Sequence, residues 1–289
     1  MTGLALGLVL ISAVAHAGWN YIAKRASAGP VFNWLFDSLS VCVCLPLGII
    51  QLLVAPVALQ PVAAVFIVGS AVLHLAYFLL LGQGYRRGGD LSLVYPLARG
   101  TGPMLSTCAA IVLLGERPTP VAICGAVLIG IGVFVLAGNP RRLRAAGAGR
   151  SVVLAVLTGV VIAGYTLWDK QAVSDTGAAI PPVLYFFLFT VVRAGFLTPY
   201  ALTRLPVVRS EWRLHRRHAV GIAVLSPLSY ILVLYALSVS PVSYVAPVRE
   251  IGILFGAVLG TRFLAEGEPR RRLAGAIAMV AGVAALALG

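Results

Sequence analysis

Ten apolar runs follow one another with almost no polar chain between them, at about residues 3–22, 32–54, 62–82, 91–114, 120–137, 151–170, 182–202, 219–238, 241–260 and 272–288. Each is close to the roughly 20 residues that carry a helix across the hydrocarbon of a bilayer. In lipid, backbone N–H and C=O groups have to be satisfied within the fold, so successive apolar runs of this length leave helices as the one economical choice. The predicted fold class is an all-α integral membrane protein with ten transmembrane helices. Only 11% of the 289 residues are charged and 60% are hydrophobic, whereas a soluble domain carries about a quarter charged. No stretch is long and polar enough to form a separate soluble domain.

The charges that remain are strongly basic, +13 net, and they sit mainly in short linkers. Seventeen of the 22 Lys and Arg fall in linkers after the odd-numbered runs, among them Arg86, Arg87, Arg141, Arg142, Arg213, Arg216, Arg217, Arg270 and Arg271. The linkers after the even-numbered runs hold Arg117 and Lys170. This is the positive-inside bias of a membrane protein rather than a nucleic-acid surface, and it places the odd linkers in the cytoplasm and both termini outside. The segment from Leu4 to Ala17 resembles a signal-peptide core, but Met1-Thr2-Gly3 lacks a basic n-region, so it is read as the first membrane helix. Cys42, Cys44, Cys108 and Cys124 all fall inside apolar runs and read as small buried hydrophobes.

The chain repeats itself. Ser92 and Pro96 match Ser243 and Pro247, Ala17-Gly18-Trp19 lies over Ala163-Gly164-Tyr165, Tyr77 falls near Tyr230, and Gly125 and Gly132 match Gly275 and Gly282. The halves are residues 1–138 and 151–289, joined by a basic loop at 139–150. Each half holds five runs, an odd number, so the copies must enter the membrane in opposite orientations. Inverted repeats of this kind occur in secondary transporters, with the binding site near the midplane where helices are interrupted.

The His16-Ala17-Gly18-Trp19-Asn20 start, the Tyr95-to-Gly100 segment, the Leu114-Gly115-Glu116 corner and the Gly-rich fifth run resemble the EamA-type branch of the drug/metabolite transporter superfamily, over nearly the whole chain. The resemblance implies ten helices around a central cavity and movement of small metabolites, most often export of amino acids or related compounds. The start motif is also similar to that of members linked to phosphonate metabolism. Cytoplasmic termini are a further implication, opposite to the charge bias.

Charges inside the runs point to the site. Arg99 and Arg249 occupy matched depths in the two halves, and a charge there costs a few kcal/mol or more unless it is paired or wetted. Either they bind an anionic group of the substrate, which guanidinium suits through paired hydrogen bonds, or Arg99 pairs with Glu250 and locks the halves together. Glu250 and Asp37 are candidates for proton coupling or for the counter-charge. Asp37 with Arg193 could pair or face the cavity, and Asp37 lies near enough to a helix end to be wetted. Tyr77, Tyr230 and His74, with Trp19, complete the substrate-binding candidates; packing is the alternative for each, and Trp19 could anchor the interface. His16 and Asn20 share a helix face and are expected to bridge helices. Glu116 and Glu266 read as charges that hold turns. The small residues of the fifth and tenth runs suit close helix contact, within the chain or in a homodimer.

No nucleophile elbow, metal-ligand spacing or phosphate loop is present, so neither an enzyme nor a cofactor is expected. The reading is a gradient-driven carrier of a small polar metabolite in the cell (inner or plasma) membrane, whose partners are that substrate and the lipid bilayer, with no nucleic acid. The rivals are a membrane enzyme acting on a lipid or polyprenyl phosphate, and a non-transporting accessory protein. A carrier should open a polar cavity between the halves, lined by the first, third, fourth, sixth, eighth and ninth helices.

Overall fold

The computed structural model describes residues 1–24, 26, 29–56, 59–86, 91–137, 148–255 and 269–289. Among them lie ten helices: α1 (Gly3–Lys24), α2 (Pro30–Val54), α3 (Pro61–Arg86), α4 (Leu91–Leu113), α5 (Pro120–Ala137), α6 (Ala148–Val173), α7 (Pro182–Leu202), α8 (Leu205–Val239), α9 (Val242–Val248) and α10 (Pro269–Leu288). Six of them (α1, α2, α3, α6, α7 and α8) are long and apolar enough to cross a membrane, and α4, α5 and α10 contain shorter apolar stretches. The chain is an all-helical, multi-pass membrane protein. Proline opens α2, α3, α5, α7 and α10, where a missing N–H costs nothing because the first turn has no partner for it. The basic loop within 138–147 and the corner at 256–268, including Glu266, lie outside the described residues.

Two elements differ from the apolar pattern. α8 begins at Leu205, not near 219, because a basic segment with Arg209, Arg213, Arg216 and Arg217 continues the helix beyond its apolar part. Hydropathy registers only the lipid-facing length of such a helix. The ninth run is not one helix. α9 stops at Val248, Arg249 and Glu250 form a turn, and residues 251–255 are helical again. Pro247 lies inside α9 and has no N–H to give. Beyond it the hydrogen bonds tighten to a three-residue step, Glu250 N–H to Pro247 O at 3.0 Å, Gly252 N–H to Arg249 O at 3.2 Å and Ile253 N–H to Glu250 O at 2.9 Å.

The outer faces are apolar. Large side chains such as Ile11, Leu53, Val112, Val220 and Ile277 are exposed, as they must be where the solvent is lipid. Cys42, Cys108 and Cys124 are exposed as well and only Cys44 is buried, which corrects the expectation for three of the four. Lipid tails accommodate a small apolar thiol as readily as a protein core does.

The main helix contacts are α1 with α8, α3 with α6, α2 with α7, α5 with α10, and α4 with α6. The tightest is the α5–α10 seam. A Cβ on Gly125 would lie 2.7 Å from the Gly282 carbonyl oxygen, one on Gly282 would lie 2.6 Å from that of Gly125, and one on Gly132 would lie 2.8 Å from that of Gly275. Only glycine permits that approach of two backbones. Reciprocal hydrogen bonds tie α1 to α8, Ser12 Oγ to Ser229 O at 2.8 Å and Ser229 Oγ to Ser12 O at 3.1 Å.

Candidate functional site

Three arginines and three carboxylates are buried within the helices: Arg99, Arg193 and Arg249 with Asp37, Asp169 and Glu250. Two pairs form directly. Arg193 of α7 grips Asp37 of α2 with both ends of its fork, Nε to Oδ2 at 2.8 Å and Nη2 to Oδ1 at 2.5 Å, and its guanidinium lies over the rings of Phe78 and Phe189. Asp37 is 1% exposed. It is therefore not wetted from a helix end as its position in the run suggests, because α7 packs across it. Arg99 of α4 meets Glu250, in the turn after α9, with Nε 3.0 Å from Oε2. Of the two alternatives for Arg99, the pairing with Glu250 is the geometry seen.

Arg249 and Asp169 are left over. Among the described residues no carboxylate comes within ion-pair distance of Arg249, whose guanidinium instead lies 5.5 Å from the Tyr230 ring centre. It is 8% exposed. The Tyr230 hydroxyl points the other way and donates to Asp169 Oδ2 at 2.5 Å. Asp169 Oδ1 accepts from Tyr185 at 2.7 Å and from Ser70 at 2.8 Å. A single tyrosine thus separates a buried cation from a buried anion, and Arg249 remains within electrostatic reach of Asp169.

Asp169 is not among the candidates named from the sequence, where Glu250 and Asp37 are the acidic residues proposed for coupling or counter-charge. It falls at the polar end of the sixth run beside Lys170 and lies over Ala23 in the first half, so neither depth nor repetition marks it. Only the continuation of α6 to Val173, with α3, α7 and α8 closing around it, buries it completely.

The other candidates divide into two places. His74 joins the Asp169 group: its ring stacks on Tyr165 at 4.3 Å and on Phe189 at 4.9 Å, with Tyr230 edge-on at 5.0 Å. Tyr77 is one ring further out, edge-on to Tyr165 at 6.0 Å. Trp19 lies elsewhere, against Phe32, Phe36, Ala219 and Ile222, which is the packing alternative. The expectation that His16 and Asn20 bridge helices is corrected. The Trp19 indole donates to His16 Nδ1 at 3.2 Å and the Asn20 amide donates to His16 O at 2.7 Å, because side chains one turn apart on one helix reach each other before any neighbour. His16 does approach the broken ninth segment, 3.7 Å from a Cβ placed on Gly252.

A polar vestibule of about 320 Å³ opens where α6 and α8 end, lined by Glu116, Lys170, Gln171, Ser174 and Ser240 among others. Its charges secure helix ends. Lys170 Nζ donates to Leu237 O at 2.6 Å and Ser240 O at 3.1 Å, and the Glu116 carboxylate accepts from Val242 N–H at 2.7 Å and Ser243 N–H at 2.8 Å. Lys170, counted in a linker by hydropathy, is thus part of α6. A second cavity of about 130 Å³, between α4, α5 and the broken segment, is apolar except for Glu250 and Thr107. Neither of these two cavities is the broad polar chamber expected between the halves.

Helices of this length, an apolar exterior and a charged, hydrogen-bonded interior around an interrupted helix define a polytopic membrane protein. Residues 149–288 match the EamA-like transporter family, so this part of the chain carries an EamA-like transporter domain, part of the drug/metabolite transporter superfamily. A solved structure described only as "Crystal structure of protein" is similar across 98% of this chain and 97% of its own, with a TM-score of 0.75 at 17% identity, which extends the fold to the first half. No curated protein matches the chain.

Proposed function

We propose that the protein is a gradient-driven carrier of a small polar metabolite, an anion or an amino-acid-like zwitterion, whose acidic group binds Arg249. One observation carries this reading: of three buried arginines, Arg249 alone has no carboxylate within ion-pair distance among the described residues, and it projects from the turn that interrupts the ninth run. A guanidinium left without a counter-charge in a dry interior gains several kcal/mol from an anion that supplies two acceptors. Tyr230 provides the flat wall of that position and the vestibule beside α6 a way in. Export, which the family resemblance implies, would follow the substrate's own outward gradient, and the membrane is the cell membrane.

The helix contacts support the mechanism. Exchanging the first five helices for the second five turns α1–α8 into α6–α3 and maps α2–α7 and α5–α10 onto themselves, and all four contacts are present. The glycine seam obeys the same exchange, since Gly125–Gly282 becomes Gly275–Gly132. That arrangement supports our reading of two inverted five-helix repeats, residues 1–138 and 151–289, that rock about a midplane site.

The test is a thermal-shift screen of the detergent-purified chain against amino acids, organic acids, phosphonates and neutral sugars. A carboxylate or phosphonate should stabilise the wild type and not Arg249→Gln, while Arg193→Gln, even if less stable, should keep its response. Stabilisation by neutral sugars alone, or an anion response that survives Arg249→Gln, would refute the assignment.

A further inference from the structure

His74 and Asp169 face each other one proton short. His74 Nδ1 lies 2.9 Å from the Ser70 carbonyl oxygen, which can only accept, so the ring proton belongs on Nδ1. The Ser70 hydroxyl proton is already given to Asp169 Oδ1. Nε2 is therefore a bare lone pair. It is buried, has no hydrogen-bond partner, and points at Asp169 Oδ2 from 3.9 Å. A lone pair facing a carboxylate oxygen, stacked between aromatic rings and away from water, is both repulsive and unsatisfied. One added proton cures both defects, either on Nε2 as an imidazolium facing the carboxylate or on Oδ2 as an acid donating to Nε2.

We propose that Asp169 and His74 form a proton-binding site, holding one proton between Oδ2 and Nε2, through which the carrier is coupled to a proton gradient. The coupling half of this proposal rests on the transport reading above; the proton site does not. The site joins α3 and α6 to α7 and α8, so a proton there alters contacts between the two halves. Lys170 and Gln171, which follow Asp169 in the chain, line the vestibule and bring solvent close.

The surrounding groups set the direction of the coupling. Tyr165 from α6, Tyr185 from α7 and Tyr230 from α8 are neutral partners. Arg193 from α7 is neutralised by Asp37. Arg249 is the one nearby arginine with no carboxylate within ion-pair distance among the described residues, and it opposes an incoming proton. An anion on Arg249 cancels that opposition, so proton and anion favour each other, and the effect is reciprocal by linkage. Asp37 and Glu250, the other two buried carboxylates, suit the task less well. Protonating either would strand a buried guanidinium, which is strongly destabilising.

Infrared difference spectroscopy of the purified full chain, titrated between about pH 5 and pH 9, tests the site without any substrate. The expected result is a protonated-carboxyl band that grows on acidification and is missing from Asp169→Asn. His74→Gln should keep the band but shift its midpoint by about one pH unit or more, a tenfold change in proton affinity. Arg249→Gln should shift it to higher pH. If Asp169→Asn does not fold, nitrogen-15 histidine resonances of the wild type decide: one histidine should keep its Nδ1–H tautomer while its Nε2 resonance shifts on accepting a hydrogen bond as the carboxyl band appears. A wild type in which neither a carboxyl nor a histidine Nε2 takes up a proton, or one whose titration is the same in His74→Gln, would overturn the proposal. A titrating site together with no ligand response in the Arg249 screen would uphold the proton site and remove the carrier reading, and the coupling with it.

Discussion

Breaking one side of the Arg99–Glu250 pair leaves a buried charge alone, whereas removing both leaves none. Arg99→Ala and Glu250→Gln are each expected to lose about 3–5 kcal/mol, and the double variant Arg99→Met/Glu250→Gln much less than their sum. Guanidinium-titrated unfolding in detergent, arranged as a double-mutant cycle, measures this, and simple additivity would mean that the 3.0 Å contact carries no coupling. The arginines were legible in the sequence because a charge within an apolar run stands out at once. Their different fates were not. Arg99 and Arg249 lie at similar depths in their runs, and only the turn at Arg249–Glu250 directs Glu250 to one arginine and leaves the other facing Tyr230. Asp169 was invisible for the opposite reason: it sits where a helix end would be expected, and burial there is a property of four packed helices.

Helix ends and seams obey simpler rules. Glu116 holds the first turn of α9 with two hydrogen bonds to backbone N–H groups, and an acidic group at a helix N-terminus contributes about 1–2 kcal/mol when partly buried. Glu116→Gln should therefore reduce stability by about that much and raise hydrogen exchange at Val242 and Ser243 more than at residues of α1 or α2. Equal exchange in the two proteins would show that α9 is held by packing alone. On the α5–α10 seam, Gly282→Leu places a branched side chain against a carbonyl oxygen and cannot be absorbed by a rotamer change. It is expected to abolish folding or to lower the melting temperature far more than Ala281→Leu on the exposed face, by differential scanning fluorimetry. The positions of these elements were close to what hydropathy predicts, since the lipid requirement is written residue by residue. The exceptions, the early start of α8 and the break after α9, arise where the chain meets water or its own interior.

Across the whole molecule, orientation is open to a direct test. On the charge bias, the linkers after the odd-numbered spans are expected in the cytoplasm, with the basic start of α8, from Arg209 to Arg217, on that side. A reporter fused after Gly289 should then be active outside the cell and one inserted before Arg209 inside; the reverse pattern would show that the family's topology overrides the charges. In the proposed two-repeat reading, α2 with α7, α4 with α9 and α5 with α10 each join a helix to its own counterpart, and two of these contacts hold the Asp37–Arg193 clasp and the glycine seam. In an object with two matching halves, places that match themselves lie on the symmetry axis, and points on an axle do not travel when the wheel turns. Chemical cross-links at α2–α7 or α5–α10 should accordingly spare turnover, while one joining α1 to α8 near Ser12 and Ser229 should stall it. The protein would then be a lever with a fixed fulcrum at either end, and its strongest contacts would be the ones that never have to break.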